Sequence, residues 1–134
     1  MPSVFSGVTD MHDMFYQNQV FDQPLNSWDT SSVTDMSGMF NGAWLFNQPL
    51  DDWDTSSVTD MELMFNYAKV FNQSIPTSGV KWDVSAVTSM SRMFWAAFVF
   101  DQNISNWNVS SVTDYSDFDV NTVSTWTSGE KPSF

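Results

Sequence analysis

Any chemistry in this chain would have to come from carboxylates. Asp and Glu number 16 against four Lys plus Arg, with one His (His12) and no Cys. That inventory excludes a Cys nucleophile, a disulfide framework and the usual Cys/His zinc site. Two carboxylate constellations remain. Asp51 and Asp52 are adjacent, and paired carboxylates act as acid and base in glycosidases when held about 5–9.5 Å apart. Asp29, Asp54 and Asp83, with Asn108, each follow a Trp directly. Carboxylates stacked one coil apart repel one another, and Ca²⁺, which takes about 6–8 oxygen ligands, would relieve that repulsion. An Asx-turn to the Ser that follows explains the same residues without an ion, and no Asp-x-Asp-x-Asp-Gly loop or Gly-rich calcium-binding nonapeptide is present. A Ca²⁺-dependent lyase would also need a base from Lys69, Lys81 or Arg92, and Arg92 falls between core Met residues. His12, between Asp10 and Asp13, has no metal set around it. The chain is not expected to be an enzyme or to carry a cofactor, Ca²⁺ at Asp29, Asp54 and Asp83 being the one candidate.

The formal charge of −12 repels phosphate backbones and anionic lipid, so nucleic acid is not an expected partner. No run approaches the ~20 apolar residues of a membrane span, which argues against direct membrane insertion. The opening Met-Pro-Ser-Val-Phe-Ser has no basic segment followed by an apolar run and reads without an export signal. Asn-x-Ser sequons at Asn72, Asn103 and Asn108 overlap the repeat described next.

What positions these residues is an internal repeat. Val-Thr-Asp-Met begins at Val8, Val33 and Val58, returns as Val-Thr-Ser-Met at Val87 and as Val-Thr-Asp-Tyr at Val112, at spacings of 25, 25, 29 and 25 residues. The longer spacing contains Pro76, Thr77, Ser78 and Gly79, an inserted loop. Trp28, Trp53, Trp82 and Trp107 keep the register, as do Phe21, Phe46, Phe71 and Phe100. A period of this size means stacked units, none of which folds alone.

Within a unit, Met36, Met39, Phe40 and Ala43 stand at i, i+3, i+4 and i+7, as do Met61, Met64, Phe65, Ala68 and Met90, Met93, Phe94, Ala97. This spacing predicts a short helix, with Thr34, Thr59 and Thr88 as N-caps and Thr59 and Glu62 forming a capping box. Leu25–Trp28 and Leu50–Trp53 read as brief strands. The expected fold class is α/β: a leucine-rich-repeat-like, right-handed solenoid of about five 25-residue coils, each a short strand plus a short helix. Gln23, Gln48, Gln73 and Gln102, with Asn47 and Asn72, are expected to form inward ladders at the corners. One repeat domain covers 1–134, with a partial first coil at 1–20, full coils at 21–45, 46–70 and 71–99, a last coil at 100–118 and a C-terminal cap at 119–134, whose Trp126 is expected to fold back over the last coil.

The template Phe-Asn-Gln-Pro-Leu-x-x-Trp-Asp-Thr-Ser-Ser-Val-Thr-Asp-Met-x-x-Met-Phe, from about Val8 to about Phe118, resembles the repeat of BspA-like leucine-rich repeat surface proteins, a type also found in mycoplasma lipoproteins. The resemblance implies a leucine-rich-repeat solenoid, extracellular or at a cell surface, working in adhesion or protein interaction. This chain is much shorter than most such arrays. Ser3 stands where the template has Trp, so the expectation is a segment of a longer array, with end-to-end self-association through an uncapped N-terminal coil as the alternative.

Residues common to all units are scaffold, and large apolar residues at variable positions become binding candidates. By that criterion Trp44, Tyr67, Trp95 and Phe98 form one candidate surface, and Asp51 and Asp52 belong to a second, polar one suited to cationic protein or hydrated glycan. The expected function is non-enzymatic binding of a protein or glycan. The alternative is a Ca²⁺-assisted carbohydrate-binding or polysaccharide-degrading module. A third reading is ice binding by the aligned Thr9, Thr34, Thr59, Thr88 and Thr113, which helix capping would already explain.

Overall fold

The computed structural model describes residues 5–75 and 82–134. Successive repeats stack on one another, but they are built from neither strands nor α-helices. Among the described residues the only helix is a 3₁₀ turn, Ser128–Glu130. Among the same described residues, the only β-pairing is a chain of single parallel bridges, Asp10 to Asp35 to Asp60 to Ser89 to Asp114. The expectation of an α/β, leucine-rich-repeat-like solenoid of strand-plus-helix coils is therefore incorrect, since the described residues contain no sheet and no α-helix to build it from.

Each coil is a polygon of β-turns. In the coil of residues 46–70, four turns close at Trp53 N–H to Leu50 O (3.1 Å), Val58 N–H to Thr55 O (3.0 Å), Met64 N–H to Met61 O (3.2 Å) and Ala68 N–H to Phe65 O (3.1 Å). The first and fourth residues of every one of these turns are fully buried. Two such turns in succession, Met61–Met64 and Phe65–Ala68, place apolar residues at i, i+3, i+4 and i+7, the same spacing a helix produces. Hydrogen bonding separates the two. In a helix each N–H returns four residues along its own chain. Here Met61, Leu63, Phe65 and Tyr67 donate outward, to Ser89, Ser91, Met93 and Trp95 of the next coil at 2.8–3.0 Å, while Met64, Asn66 and Ala68 close on the residue three back. The third residue of each of these two successive turns has positive φ, as at Leu63 (58°), Tyr67 (54°) and, one coil earlier, Gly38 (62°) and Gly42 (76°), which identifies type II turns. Gly38 and Gly42, four residues apart, were the sequence signal for this.

Three local expectations change with it. Leu25–Trp28 and Leu50–Trp53 are turns, closed by Trp N–H to Leu O at 3.0 and 3.1 Å, not strands. Thr34, Thr59 and Thr88 cap no helix; each gives both its N–H and its hydroxyl to the carbonyl of the equivalent Thr one coil earlier. The Gln and Asn ladders exist, Gln73 Nε2 reaching Asn47 O at 3.1 Å and Gln102 Nε2 reaching Asn72 O at 3.2 Å, but they run along a half-buried corner rather than inside. Ser3, Lys81 and the Pro76–Gly79 loop lie outside the described residues.

The core is a double file of phenylalanines. Phe15, Phe40, Phe65 and Phe94 stack at 5.5–5.7 Å between centroids, and Phe21, Phe46, Phe71 and Phe100 at 5.8–5.9 Å. Each coil pairs one ring from each file at 4.0–4.3 Å. At the C-terminal end Trp126 stands edge-on to Phe94 and Phe100, and its Nε1 donates to Gln102 O at 2.8 Å. The files thus end against a ring turned across them.

The seams between coils are not equal. Trp53 Nε1 donates to Leu25 O (2.9 Å) and Trp82 Nε1 to Leu50 O (2.7 Å), whereas the buried Nε1 of Trp107 has no partner. Thr30 and Thr55 hydroxyls donate to Asp54 O and Asp83 O in the following coil, but Val84 stands in that register next and has no hydroxyl to give.

Candidate functional site

The turns decide what faces outward, because the two middle residues of a turn point away from its closed side. At the corner preceding each inward Phe, those outward positions carry Val20, Leu45, Val70 and Val99, exposed to 79, 52, 39 and 42 %. At ~4.8 Å per coil they form an apolar file roughly 15 Å long. None of these four residues was named from the sequence, and they contact solvent. The signal that could have found them was adjacency: the residue beside an inward Phe at a turn points outward.

Tyr67, Trp95 and Phe98 adjoin this file. The Tyr67 ring lies 6.5 Å from Trp95 and 6.4 Å, edge-on, from Phe98, and both Tyr67 and Phe98 are exposed. Trp44, one coil away, is half-buried with Lys69 Nζ 3.5 Å from its ring centroid. Arg92 lies over Trp95 at 4.7 Å. The structure therefore gathers three of the four aromatic candidates and pairs the fourth with a cation. Such contacts contribute about 0.5–1 kcal/mol when exposed. Lys69 and Arg92 place positive charge beside an apolar strip on a chain whose net charge is −12.

Asp51 and Asp52 lie elsewhere, on the Leu50–Trp53 turn. Asn26 of the preceding coil donates its amide to Asp51 Oδ1 (3.0 Å) and Asp52 Oδ2 (3.2 Å) and accepts the Asp52 N–H (2.9 Å). An open groove beside them is lined by Asn26, Ser27, Trp28, Asp29, Asp52 and Asp54, among others.

Asp29, Asp54 and Asp83 each accept from the residue two positions on. The Ser31 and Ser56 hydroxyls and N–H groups bind Asp29 and Asp54, the Ser85 N–H binds Asp83, and Asn108 holds Ser110 in the same way. The Ser31 hydroxyl and N–H hold Asp29 below the ordinary carboxylate value, as the Ser85 groups do for Asp83. These Asx-turns use the carboxylates within their own coil. Among the described residues, the three ligand-type side chains that converge within 4.8 Å are instead Asp10, His12 and Asp35.

His12 Nδ1 lies 2.7 Å from Asp10 Oδ1, and this contact raises the imidazole above its ordinary 6.5, helped by the negative field of Asp10, Asp35 and Asp13. Because the folded value is raised, the stabilisation is fully present below pH 6.5 and lost as pH rises through the folded value. With a single His in the chain, its proton resonance titration reads this directly. Asp10→Asn is expected to return the midpoint towards 6.5; an unchanged midpoint would mean the pairing is not made in solution.

A repeat protein of stacked, turn-built coils with an apolar corner file is the class that this geometry defines. Residues 4–81 and 74–124 match the family described as Mycoplasma protein of unknown function, DUF285, and the chain belongs to that family. No curated protein and no solved structure matches it.

Proposed function

We propose that this chain is a non-enzymatic binding module of a cell-surface or secreted protein, and that it holds a protein partner through the corner file of Leu45, Val70 and Val99 with Tyr67, Trp95 and Phe98. The observation that carries this reading is the exposure of the file: four apolar residues at the same register, in successive coils, facing water. A lone exposed apolar residue needs no explanation, whereas a contiguous strip marks an interaction surface. Tyr and Trp at its centre and Arg92 at its edge match the residue types that dominate binding energy. Membership of a family of Mycoplasma proteins and the template's resemblance to surface proteins support display outside the cell.

The test is adhesion of beads carrying the chain to cultured animal cells. Leu45→Ser, Val70→Ser and Val99→Ser together are expected to reduce adhesion roughly tenfold or more, equivalent to ~1.4 kcal/mol, at unchanged melting temperature. Adhesion that survives this triple change would overturn the reading.

One observation favours a second reading. Trp28 is half-exposed in the polar groove among Asn26, Asp29, Asp52 and Asp54, an aromatic face among hydrogen-bonding groups that suits a sugar ring. Calorimetry with an oligosaccharide panel, with and without Ca²⁺, separates the two. Sugar binding abolished by Asp54→Ala would support this second reading.

A further inference from the structure

The corner strip is apolar along its length and rich in donors at its edges. Leu45, Val70 and Val99 lie on the three inner coils of the five that the parallel bridges join. The register one residue earlier reads Trp44, Lys69 and Phe98, so the Lys69 ammonium stands between two aromatic positions, 3.5 Å from the Trp44 ring centroid. Among the described residues no carboxylate pairs with Lys69. Arg92 lies 4.7 Å over the Trp95 ring, and its ion pair, Nε to Asp117 Oδ2 at 3.4 Å, is half-exposed on both sides and weakly held. The Nε1 of that same Trp95 is buried and has no partner. Ammonium, guanidinium and indole nitrogens donate and never accept. Three donors thus border the strip, and none can satisfy another. A chain with 16 acidic side chains places two of its four Lys and Arg here.

We propose that the occupant of this strip is an acidic, apolar segment of a partner protein. Its apolar side chains lie along Leu45, Val70 and Val99, and its carboxylates are taken by Lys69 and Arg92. This rests on the reading of the corner file as a protein-binding surface and adds the partner's chemistry to it. A carboxylate is the acceptor that both cations hold most strongly. A guanidinium drawn towards it exchanges a weak surface pair for one made where water is excluded. An acceptor on the same segment satisfies the Trp95 indole, whose unpaired burial costs stability in the free chain. A cationic segment would meet like charge at both residues. The net charge of −12 opposes an acidic partner at long range, but physiological salt screens that repulsion beyond ~8 Å, and contacts within the strip are closer than this.

Fluorescence anisotropy of two short labelled peptides tests this in about 0.15 M salt, one carrying Leu and Glu, the other with Gln at each Glu position. The Glu peptide is expected to bind roughly tenfold more tightly, although the bulk charge favours the neutral one. Lys69→Gln/Arg92→Gln is expected to erase that preference at unchanged melting temperature and to leave binding of the Gln peptide as it was. Trp95→Phe keeps a ring and removes the N–H, and is expected to weaken both peptides severalfold. Equal affinity for the two peptides, no binding of the Glu peptide, or a preference that persists in the double variant overturns the proposal. So does a uronic-acid oligosaccharide that competes as well as unlabelled Glu peptide, which would assign the cations to a glycan. Equal peptide affinities together with lost cell adhesion in the Leu45→Ser, Val70→Ser, Val99→Ser variant would remove the acidic partner and leave the corner file as a binding surface, so the two readings fail separately.

Discussion

Phe65→Ala is expected to lower unfolding stability by about 3–5 kcal/mol, the ordinary cost of emptying a ring-sized site in a packed interior. Phe65 is fully buried and stacks on Phe40 and Phe94 along its file and on Phe71 across it, at 5.6, 5.5 and 4.3 Å. The surroundings cannot collapse into the gap, because the backbone on both sides is tied coil to coil: Phe40 N–H to Met64 O and Phe65 N–H to Met93 O are both 2.9 Å. Domains of this size are stable by only about 5–15 kcal/mol in total, so the variant should sit near the edge of folding. The measurement is the urea midpoint with an unchanged slope. A loss below ~1 kcal/mol would mean that the files are not packed as described.

The second large effect has a sign that tells turns from helices. In a helix, replacing Gly by Ala is stabilising by about 1 kcal/mol. Gly38 here has a φ of 62°, and an added Cβ would collide with the Asp13 carboxylate of the neighbouring coil. Gly38→Ala is therefore expected to destabilise by about 1–3 kcal/mol. Asp13→Asn does not remove the backbone part of that cost and should recover little of it. Leu63, at the same turn position one coil on, already carries a side chain at a φ of 58°. Leu63→Gly is expected to be neutral or stabilising by up to ~1 kcal/mol, where a helix would lose about that amount. Thermal melts of the two variants, read together, decide the point.

The inside of this protein was legible in its sequence, while the means of building it was not. Met61, Met64, Phe65 and Ala68 could be assigned to the interior from spacing alone, because any regular path that presents a face inward must repeat its apolar residues. That spacing could not say which path. Consecutive four-residue turns and an α-helix share it, and half of the described residues holding positive φ, Leu63, Arg92 and Ala96 among them, are ones with no preference for that conformation. Neighbouring coils impose it by taking up alternate N–H groups. At the site, variability pointed to Tyr67, Trp95 and Phe98, which the structure brings together. Val20, Leu45, Val70 and Val99 were not singled out, since a repeated apolar residue can lie on the outside as readily as on the inside.

The lone Trp107 indole and the missing hydroxyl at Val84 fall on the same join. Under tension applied through the two termini, this line is a perforation. The final winding and its tail should tear away there as one piece before the Phe40 to Phe71 body yields, so a pulled molecule should lengthen in two unequal steps.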